Sequence, residues 1–401
     1  MLEIKRLTLL SLATLCFFIF LGAQRVYCEV ISNQKVIEEI DILKAKINQL
    51  ENKLSSKNIV PKAKKISHDG AIGVKDLNDR VNRIEEFMES AMLGKWANKM
   101  SLSGLVEVEA NYESALNDHS DINLATVELG LDADISKYIK GHLLFLWEED
   151  DTDPINMEEG FITLDGSDEI PIYLDAGKMY LPFGYFESHF IRDPLTLELG
   201  EINETAFKLG LTMGSIDFCA AIFNGDINEI NENDDLIDNY ILAIIFNMPE
   251  NIIKDIRLIA GLSYISNLSD TDGLQDILAG NIEEYAGGLN SFLSVSWKDT
   301  FFLEMEYVGA LDNINVPGSS QNFEPNTWNL ELAYMIQDGL EVAISYEGSD
   351  DTMDIMPEDR FGAVVSYELF NNLSTSLEYL YSEFEEQEDS DLITAQIAIE
   401  F

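Results

Sequence analysis

Over roughly the last three quarters of this chain, apolar and polar residues alternate one by one, in segment after segment. In Ser101 to Tyr112, Leu102, Val106, Val108, Ala110 and Tyr112 fall on one face, and Ser101, Ser103, Glu107, Glu109 and Asn111 fall on the other. A period of two is that of a strand with one apolar and one polar face. Val127, Leu129, Leu131, Ala133 and Ile135 lie in the same way opposite Glu128, Asp132 and Asp134, and Phe301, Leu303, Met305 and Tyr307 lie opposite Glu304 and Glu306. Sixteen such segments are counted, near 101–112, 122–136, 138–148, 157–164, 171–180, 203–212, 215–223, 238–247, 255–266, 284–297, 300–310, 326–335, 339–347, 359–369, 372–382 and 391–401. The fourth and fifth carry the weakest alternation.

The connections alternate too. Odd-numbered gaps are long and polar, as in 224–235, 267–281, 312–326 and 348–358, whereas even-numbered gaps are mostly short, as at Lys137, Thr212 to Gly214, Lys298-Asp299, Gln337-Asp338 and Asn371. Long loops at one end and tight turns at the other describe a transmembrane antiparallel up-and-down β-barrel with both termini on the short-turn side. Sixteen strands enclose a lumen too wide for side chains to fill, so the polar face must line water and the apolar face must meet lipid. Closure removes the unpaired strand edges that hydrocarbon would penalise. Tyr112, Tyr138, Trp297, Tyr307, Trp328, Tyr334 and Tyr346 lie near strand ends and suit two interfacial belts. The expected fold class is thus all-β, with the barrel at 96–401.

The N-terminal part is different. Lys5 and Arg6 precede a largely apolar stretch from Leu7 to Ala23, which reads as an export signal at 1–28 cleaved after Ala23 or Cys28. Val36, Ile40, Leu43, Ile47, Leu50 and Leu54 recur at spacings of four and three, the seam of a coiled-coil helix at 29–58. A linker at 59–73 holds Pro61, Gly70 and Gly73, and a second heptad helix follows at 74–95 through Val74, Leu77, Val81, Ile84 and Met88. Ile40 and Ile47 alternating with Leu43 and Leu50 lean by themselves toward two strands, while for the chain as a whole a homo-oligomer is expected, a trimer in preference to a dimer; a fold-back of the helices on each other or on the second domain competes with self-association.

Charge excludes several classes. The chain carries 25 Lys+Arg against 73 Asp+Glu, a net of -48, and residues 96–401 hold only ten of those basic residues against 61 acidic ones. Nucleic acid is excluded as a partner, because its phosphates need clustered Lys and Arg. Three Cys cannot staple 401 residues. No cofactor motif is present, the acidic loops at 226–235 and 350–359 lack the Gly and terminal Glu spacing of a calcium loop, and no metal site is expected. No local nucleophile motif surrounds His119, His142 or His189, so no enzymatic role is expected.

At the C-terminus Ile393, Ala395, Ile397, Ile399 and Phe401 share a face, and the chain stops on an aromatic residue. This looks like the last strand of outer-membrane barrel proteins, which their assembly machinery reads. The run Ala176-Gly177-Lys178-Met179-Tyr180-Leu181-Pro182-Phe183-Gly184, with Glu187-Ser188-His189 and Asp193 to Glu201 beyond it, resembles the siderophore porin family related to the Legionella legiobactin receptor. The Gly-Lys-x-x-x-Pro-Phe-Gly portion is also similar to other substrate-selective porins. The resemblance implies uptake of a ferric siderophore or similar small solute across the outer membrane of a Gram-negative cell, with lipid and lipopolysaccharide around the barrel and the N-terminal region in the periplasm. The chain has neither the roughly twenty-two strands nor the globular plug of an energised receptor, which favours a passive pore. The competing reading is a general diffusion porin that also tethers the outer membrane to the cell wall through its coiled coil.

Two sets of residues are expected to act on a solute. Alternation places Glu107, Glu109, Glu128, Asp132, Asp134, Glu304, Glu306, Glu331, Glu341 and Glu378 on the lumen side, with Lys208 and Arg257 among them, a wall that concentrates cations. The third long loop, 181–202, is expected to narrow the pore. It carries Phe183, Tyr185, Phe186 and Phe190, too apolar for a freely solvated loop, and Glu187, His189 and Arg192 would then face the solute. The simpler alternative has the aromatics pack the loop on the wall and Arg192 pair with an acid.

Overall fold

The computed structural model describes residues 99–401, apart from 115–117, 150–151, 153–154, 167–169, 231–235, 250–251, 279–280, 318–321 and 386. The expected signal segment, both heptad helices and their linker lie outside the described residues. Sixteen strands form one closed barrel. They are β1 (Met100–Ser114), β2 (His119–Ser136), β3 (Ile139–Trp147), β4 (Asn156–Asp165), β5 (Ile172–Tyr180), β6 (Asn203–Met213), β7 (Ile216–Phe223) and β8 (Asn239–Asn247). The second half comprises β9 (Ile256–Ile265), β10 (Gly288–Trp297), β11 (Phe301–Ala310), β12 (Asn326–Gln337), β13 (Leu340–Asp350), β14 (Asp359–Phe370), β15 (Leu373–Glu383) and β16 (Ser390–Glu400). Each corresponds to one segment of the period-two pattern, the weak fourth and fifth included.

Every strand pairs antiparallel with the next, and β16 pairs with β1 from Leu105↔Glu400 to Ser114↔Asp391. At the seam Gly104 N–H donates to Phe401 O at 2.9 Å and Phe401 N–H donates back to Gly104 O at 3.0 Å. The Phe401 ring lies over Gly104, where a Cβ would run into it. The tight turn at Lys298-Asp299 has both residues at positive φ, 57° and 49°, the primed geometry that matches strand twist.

Register fixes the faces. In the row Glu304↔Glu331↔Ser345 the side chains are buried, whereas the alternate positions Met305, Leu332 and Ile344 are 44%, 49% and 59% exposed. In a closed barrel the shielded polar face is the inner one, so the apolar face looks outward. Ring contacts form a girdle near each rim. Trp297–Phe301 (5.3 Å) and Phe301–Tyr334 (4.7 Å) lie at the short-turn end, and Tyr346–Phe361 (4.9 Å) and Tyr240–Tyr264 (6.0 Å) lie at the long-loop end.

The long-loop end departs from the expected polar loops over an open lumen. It holds an apolar core. Helix α1 (Leu195–Gly200), a short 3-10 turn (Leu268–Asp270), helix α2 (Asp272–Leu278) and two-residue ladders at Asn228–Glu229 with Asn281–Ile282 and Ile314–Asn315 with Asn322–Phe323 fold together there. Phe183, Leu195, Leu199, Leu268, Ile282, Ile314 and Phe323 from the loops pack with Met179, Ala206, Phe223, Ile241, Ile265 and Val308 from β5 to β11. Those wall residues occupy inward positions, as Ile241 shows by being buried between the exposed Tyr240 and Leu242. The inner face is therefore apolar at the long-loop ends of β5–β11, and the loops are anchored there because each such side chain gains about 1.5–3 kcal/mol on leaving water.

Candidate functional site: a loop racked on carboxylates

An irregular segment inside a barrel must find partners for backbone groups that helix or sheet would otherwise satisfy. The loop joining β5 to β6 finds them on a file of glutamates. Its base closes where Leu181 N–H donates to Ile202 O at 2.9 Å, and Ser263 Oγ on β9 donates to Phe183 O. The chain then crosses to the far wall. Tyr185 N–H and Phe186 N–H donate to the two carboxylate oxygens of Glu306 on β11 at 2.9 and 2.8 Å. Ser188 Oγ and His189 N–H take the two oxygens of Glu331 on β12 at 2.8 and 2.9 Å. Ile191 and Arg192 N–H share Glu378 Oε2 on β15 at 2.6 and 3.1 Å, and Leu195 N–H donates to Glu347 Oε2 on β13 at 2.8 Å. Hydrogen bonds to an ionised acceptor contribute about 1.5–3 kcal/mol each, so the rack holds the loop firmly.

Two further contacts lock it. The Arg360 guanidinium, buried on β14, meets both oxygens of Glu347 at 3.0 and 2.7 Å, Glu198 of α1 at 3.2 Å and the Asp193 carbonyl at 2.7 Å. Phe190 sits over Gly362, where any Cβ would strike its ring, and packs on Ala333, Ala343 and Val364. These small residues form a notch in an otherwise polar wall.

The expected loop residues divide by environment. Phe183 is fully buried, Tyr185 stacks on Phe292 with centroids 4.8 Å apart, and Phe186, at φ 54°, packs against the apolar core. His189 Nδ1 lies 2.8 Å from Glu341 Oε1. Burial opposes the protonation of His189, but the hydrogen bond and charge of Glu341, with Glu331 and Glu304 behind it, outweigh that and raise its pKa. Glu187 and Arg192 are exposed, and among the described residues no carboxylate comes within 4.0 Å of the Arg192 guanidinium. The alternative reading, in which Arg192 pairs with an acid, is not seen there; Arg360 holds the buried carboxylates.

The expected wall residues divide as well. Glu304, which accepts from Ser294 Oγ at 2.9 Å, lies with Glu306, Glu331, Glu341 and Glu378 on the wall that carries the loop, and all but Glu341 are buried. Glu306, Glu331 and Glu378 are covered rather than open to the lumen because the loop takes their oxygens, whereas Glu304 bonds a neighbouring strand. Glu107, Glu109 and Glu128 on β1 and β2 stay partly exposed, Glu109 accepting from Gln396 Nε2 at 3.0 Å. Asp132 holds His142 Nδ1 at 2.7 Å while His142 Nε2 lies 3.2 Å from Glu159, and Asp134 is exposed. Lys208 pairs with the buried Asp175 at 2.9 Å, and Arg257 pairs with Asp299 at 2.6 Å near the short-turn rim. Sequence reasoning missed Glu347, Glu198 and Arg360. Glu347 was within reach, being in phase with Glu341 and Ser345 on one strand face.

With the loop inside the barrel, the architecture can be compared with solved ones. The DcaP channel of Acinetobacter baumannii superposes with a TM-score of 0.54 over 75% of this chain and 97% of its own, at 15% identity. The fold is that of the outer-membrane porins. OmpF of Salmonella typhi, solved with daunomycin, gives 0.55 at 11% identity over 75% and 97%, and the anion-selective porin of Comamonas acidovorans gives 0.54 at 12% identity over 75% and 99%. No protein-family model matches this porin-fold chain. A UPF0422 protein of Coxiella burnetii is 21% identical over 403 residues, 87% of this chain and 85% of its own. A UPF0422 protein of Legionella pneumophila strain Paris is 21% identical over 313 residues, 70% of this chain, which spans only 58% of that relative. These relatives carry the UPF0422 name and not that of a legiobactin receptor.

Proposed function

We propose that this chain is an outer-membrane porin that forms a water-filled, cation-preferring channel without a plug domain, for uptake of a ferric siderophore or a similar small solute. The observation that carries this reading is the closed barrel with its apolar face outward and a loop racked on carboxylates across its inside. Loop 181–202 is the constriction, and Glu187, His189 and Arg192 line it. A barrel segment with 61 acidic and ten basic residues draws cations inward and repels anions. The resemblance noted at 176–201 favours a ferric siderophore as the solute. The channel assembles as a homo-oligomer, a trimer in preference to a dimer, with the strand ending at Phe401 offered to the barrel assembly machinery and the N-terminal heptads in the periplasm. Reconstitution in a planar bilayer tests this. Discrete ion conductance with cations more permeant than anions, lowered by an added ferric siderophore, is expected. Anion preference defeats the charge assignment, and conductance blind to the siderophore defeats the choice of solute.

A further inference from the structure

Closure of the barrel sorts the ten Lys and Arg of 96–401 by height. Lys99, Lys137, Lys140, Lys254, Arg257 and Lys298 all lie at the short-turn rim, whereas seven of the eight long connections hold no Lys or Arg, 181–202 with Arg192 being the exception. At two corners of that rim a lysine stands on an exposed aromatic ring. Lys137 Nζ is 4.8 Å from the Tyr138 ring centroid and 3.2 Å from its hydroxyl, and Lys99 joins the same corner, its Nζ donating to Ile135 O at 3.1 Å. Lys298 Nζ is 4.9 Å from the Trp297 ring centroid, and Lys298 N–H donates to Asp255 O at 2.7 Å, which brings Lys254 to this second corner. The β2–β3 and β10–β11 turns are eight strands apart in a closed ring of sixteen, so the two corners stand on opposite sides of the barrel.

Acids at this rim are largely engaged elsewhere. Lys140 holds Asp165 at 2.9 Å and Arg257 holds Asp299 at 2.6 Å, while Asp255 lies 4.0 Å from Lys254. Among the described residues no carboxylate comes within 4.0 Å of Lys99 or Lys298. The opposite rim is built differently. There the hydroxyls of Tyr346, Tyr379 and Tyr381 donate to Asp359, Asp391 and Glu383, so its aromatic belt presents carboxylates, which repel a phosphate. A lysine keeps its ammonium in water while its stem lies on apolar surface, and Tyr or Trp rings settle at the depth of lipid headgroups. Short turns of outer-membrane barrels face the periplasm. Resting on the membrane location but not on the channel reading, we infer that the two corners bind the phosphodiester headgroups of anionic phospholipids in the periplasmic leaflet. Lys137 and Lys298 take the phosphate, Lys99 and Lys254 add charge, and the Tyr138 and Trp297 rings lie against the lipid below it.

The test uses the full chain in phosphatidylcholine vesicles carrying a trace of spin-labelled phosphatidylglycerol or spin-labelled phosphatidylcholine, and reads the fraction of label immobilised at the protein surface. Each variant is first checked for heat-modifiable gel mobility. Wild type should hold phosphatidylglycerol about threefold over phosphatidylcholine at low salt and lose that preference in about 1 M NaCl. Lys137→Gln with Lys298→Gln should bring the ratio to about one, and Lys137→Arg with Lys298→Arg should keep it, since the charge is what acts. Lys178→Gln, near the long-loop end of β5, should leave the ratio as it was. A wild type without preference, or a preference that survives the double Gln variant, overturns the inference. A preference lost with Lys178→Gln overturns it too, by moving the site to the other leaflet, and so does displacement of the label by millimolar inorganic phosphate at constant ionic strength, which marks a site for the free ion. A chain that immobilises neither label instead removes the membrane location itself.

Discussion

Arg360 shows how much one side chain carries in an acidic barrel. Its guanidinium is buried, and its fork geometry matches the two oxygens of Glu347 while reaching Glu198. Arg360→Met would leave Glu347 buried without its cation, a loss of about 3–5 kcal/mol for a broken buried pair, and Arg360→Lys would not restore the bidentate contact. A lower unfolding temperature for both variants, read from heat-modifiable mobility, is the expected result. Asp270 poses the opposite problem. It is fully buried between Ile227 N–H (2.9 Å) and Asn267 Nδ2 (2.8 Å), and burial pushes its pKa up to about 7 despite those two hydrogen bonds. Glu201 nearby is pushed up to about 8, by burial and then by the charge of Asp272. A carboxyl raised in the folded state keeps a proton that the unfolded chain has released, so its contribution to stability is present at acid pH and declines as pH climbs from the ordinary carboxylate range to about 7. Asp270→Asn keeps an acceptor for Ile227 and removes that titration. Relative to wild type, it should melt higher at pH 8 and show little gain at pH 4; an equal gain at both would reject the assignment.

At the scale of the element, loop 181–202 is held by contacts far apart in the chain. Its donors and their glutamates lie between 120 residues apart, for Phe186 and Glu306, and 187 apart, for Ile191 and Glu378. Its aromatic content was enough to take it out of solvent, but nothing local says which wall receives it, and that is why the expected lumen acids could not be sorted into covered and open ones. Deleting 187–190 should raise single-channel conductance, because this stretch lies along the inner wall over Glu331 and Gly362 and takes up lumen space there; unchanged conductance rejects the constriction. Phe190→Ala empties the notch over Gly362 and, for a half-buried ring, should cost about 2 kcal/mol, seen as noisier open-channel current from a looser loop. The helices α1 and α2 were not legible either, being two short helices of six and seven residues whose apolar side chains point into a core assembled from several loops.

For the molecule as a whole, the charge imbalance predicts a salt-dependent channel. The screening length is about 10 Å at 0.1 M salt and about 3 Å at 1 M, so the pull of Glu107 and Glu128 on a cation in the lumen should fade over that range. The permeability ratio should therefore fall toward unity as KCl rises, and a ratio independent of salt would point to steric selection instead. Strand number, strand limits to within a few residues and the outward sense of the apolar face, as at Leu332, were all written in the sequence. Each follows from a period of two and from loop length, properties of neighbours along the chain. Only the folded chain decided that half of the acid wall serves as a clasp, that an apolar core fills the long-loop end over β5–β11, and that Arg360 rather than Arg192 is the buried cation. A carboxylate's effect depends on whether water or a backbone N–H reaches it first, and for these glutamates that N–H comes from a distant strand connection brought near by closure of the barrel.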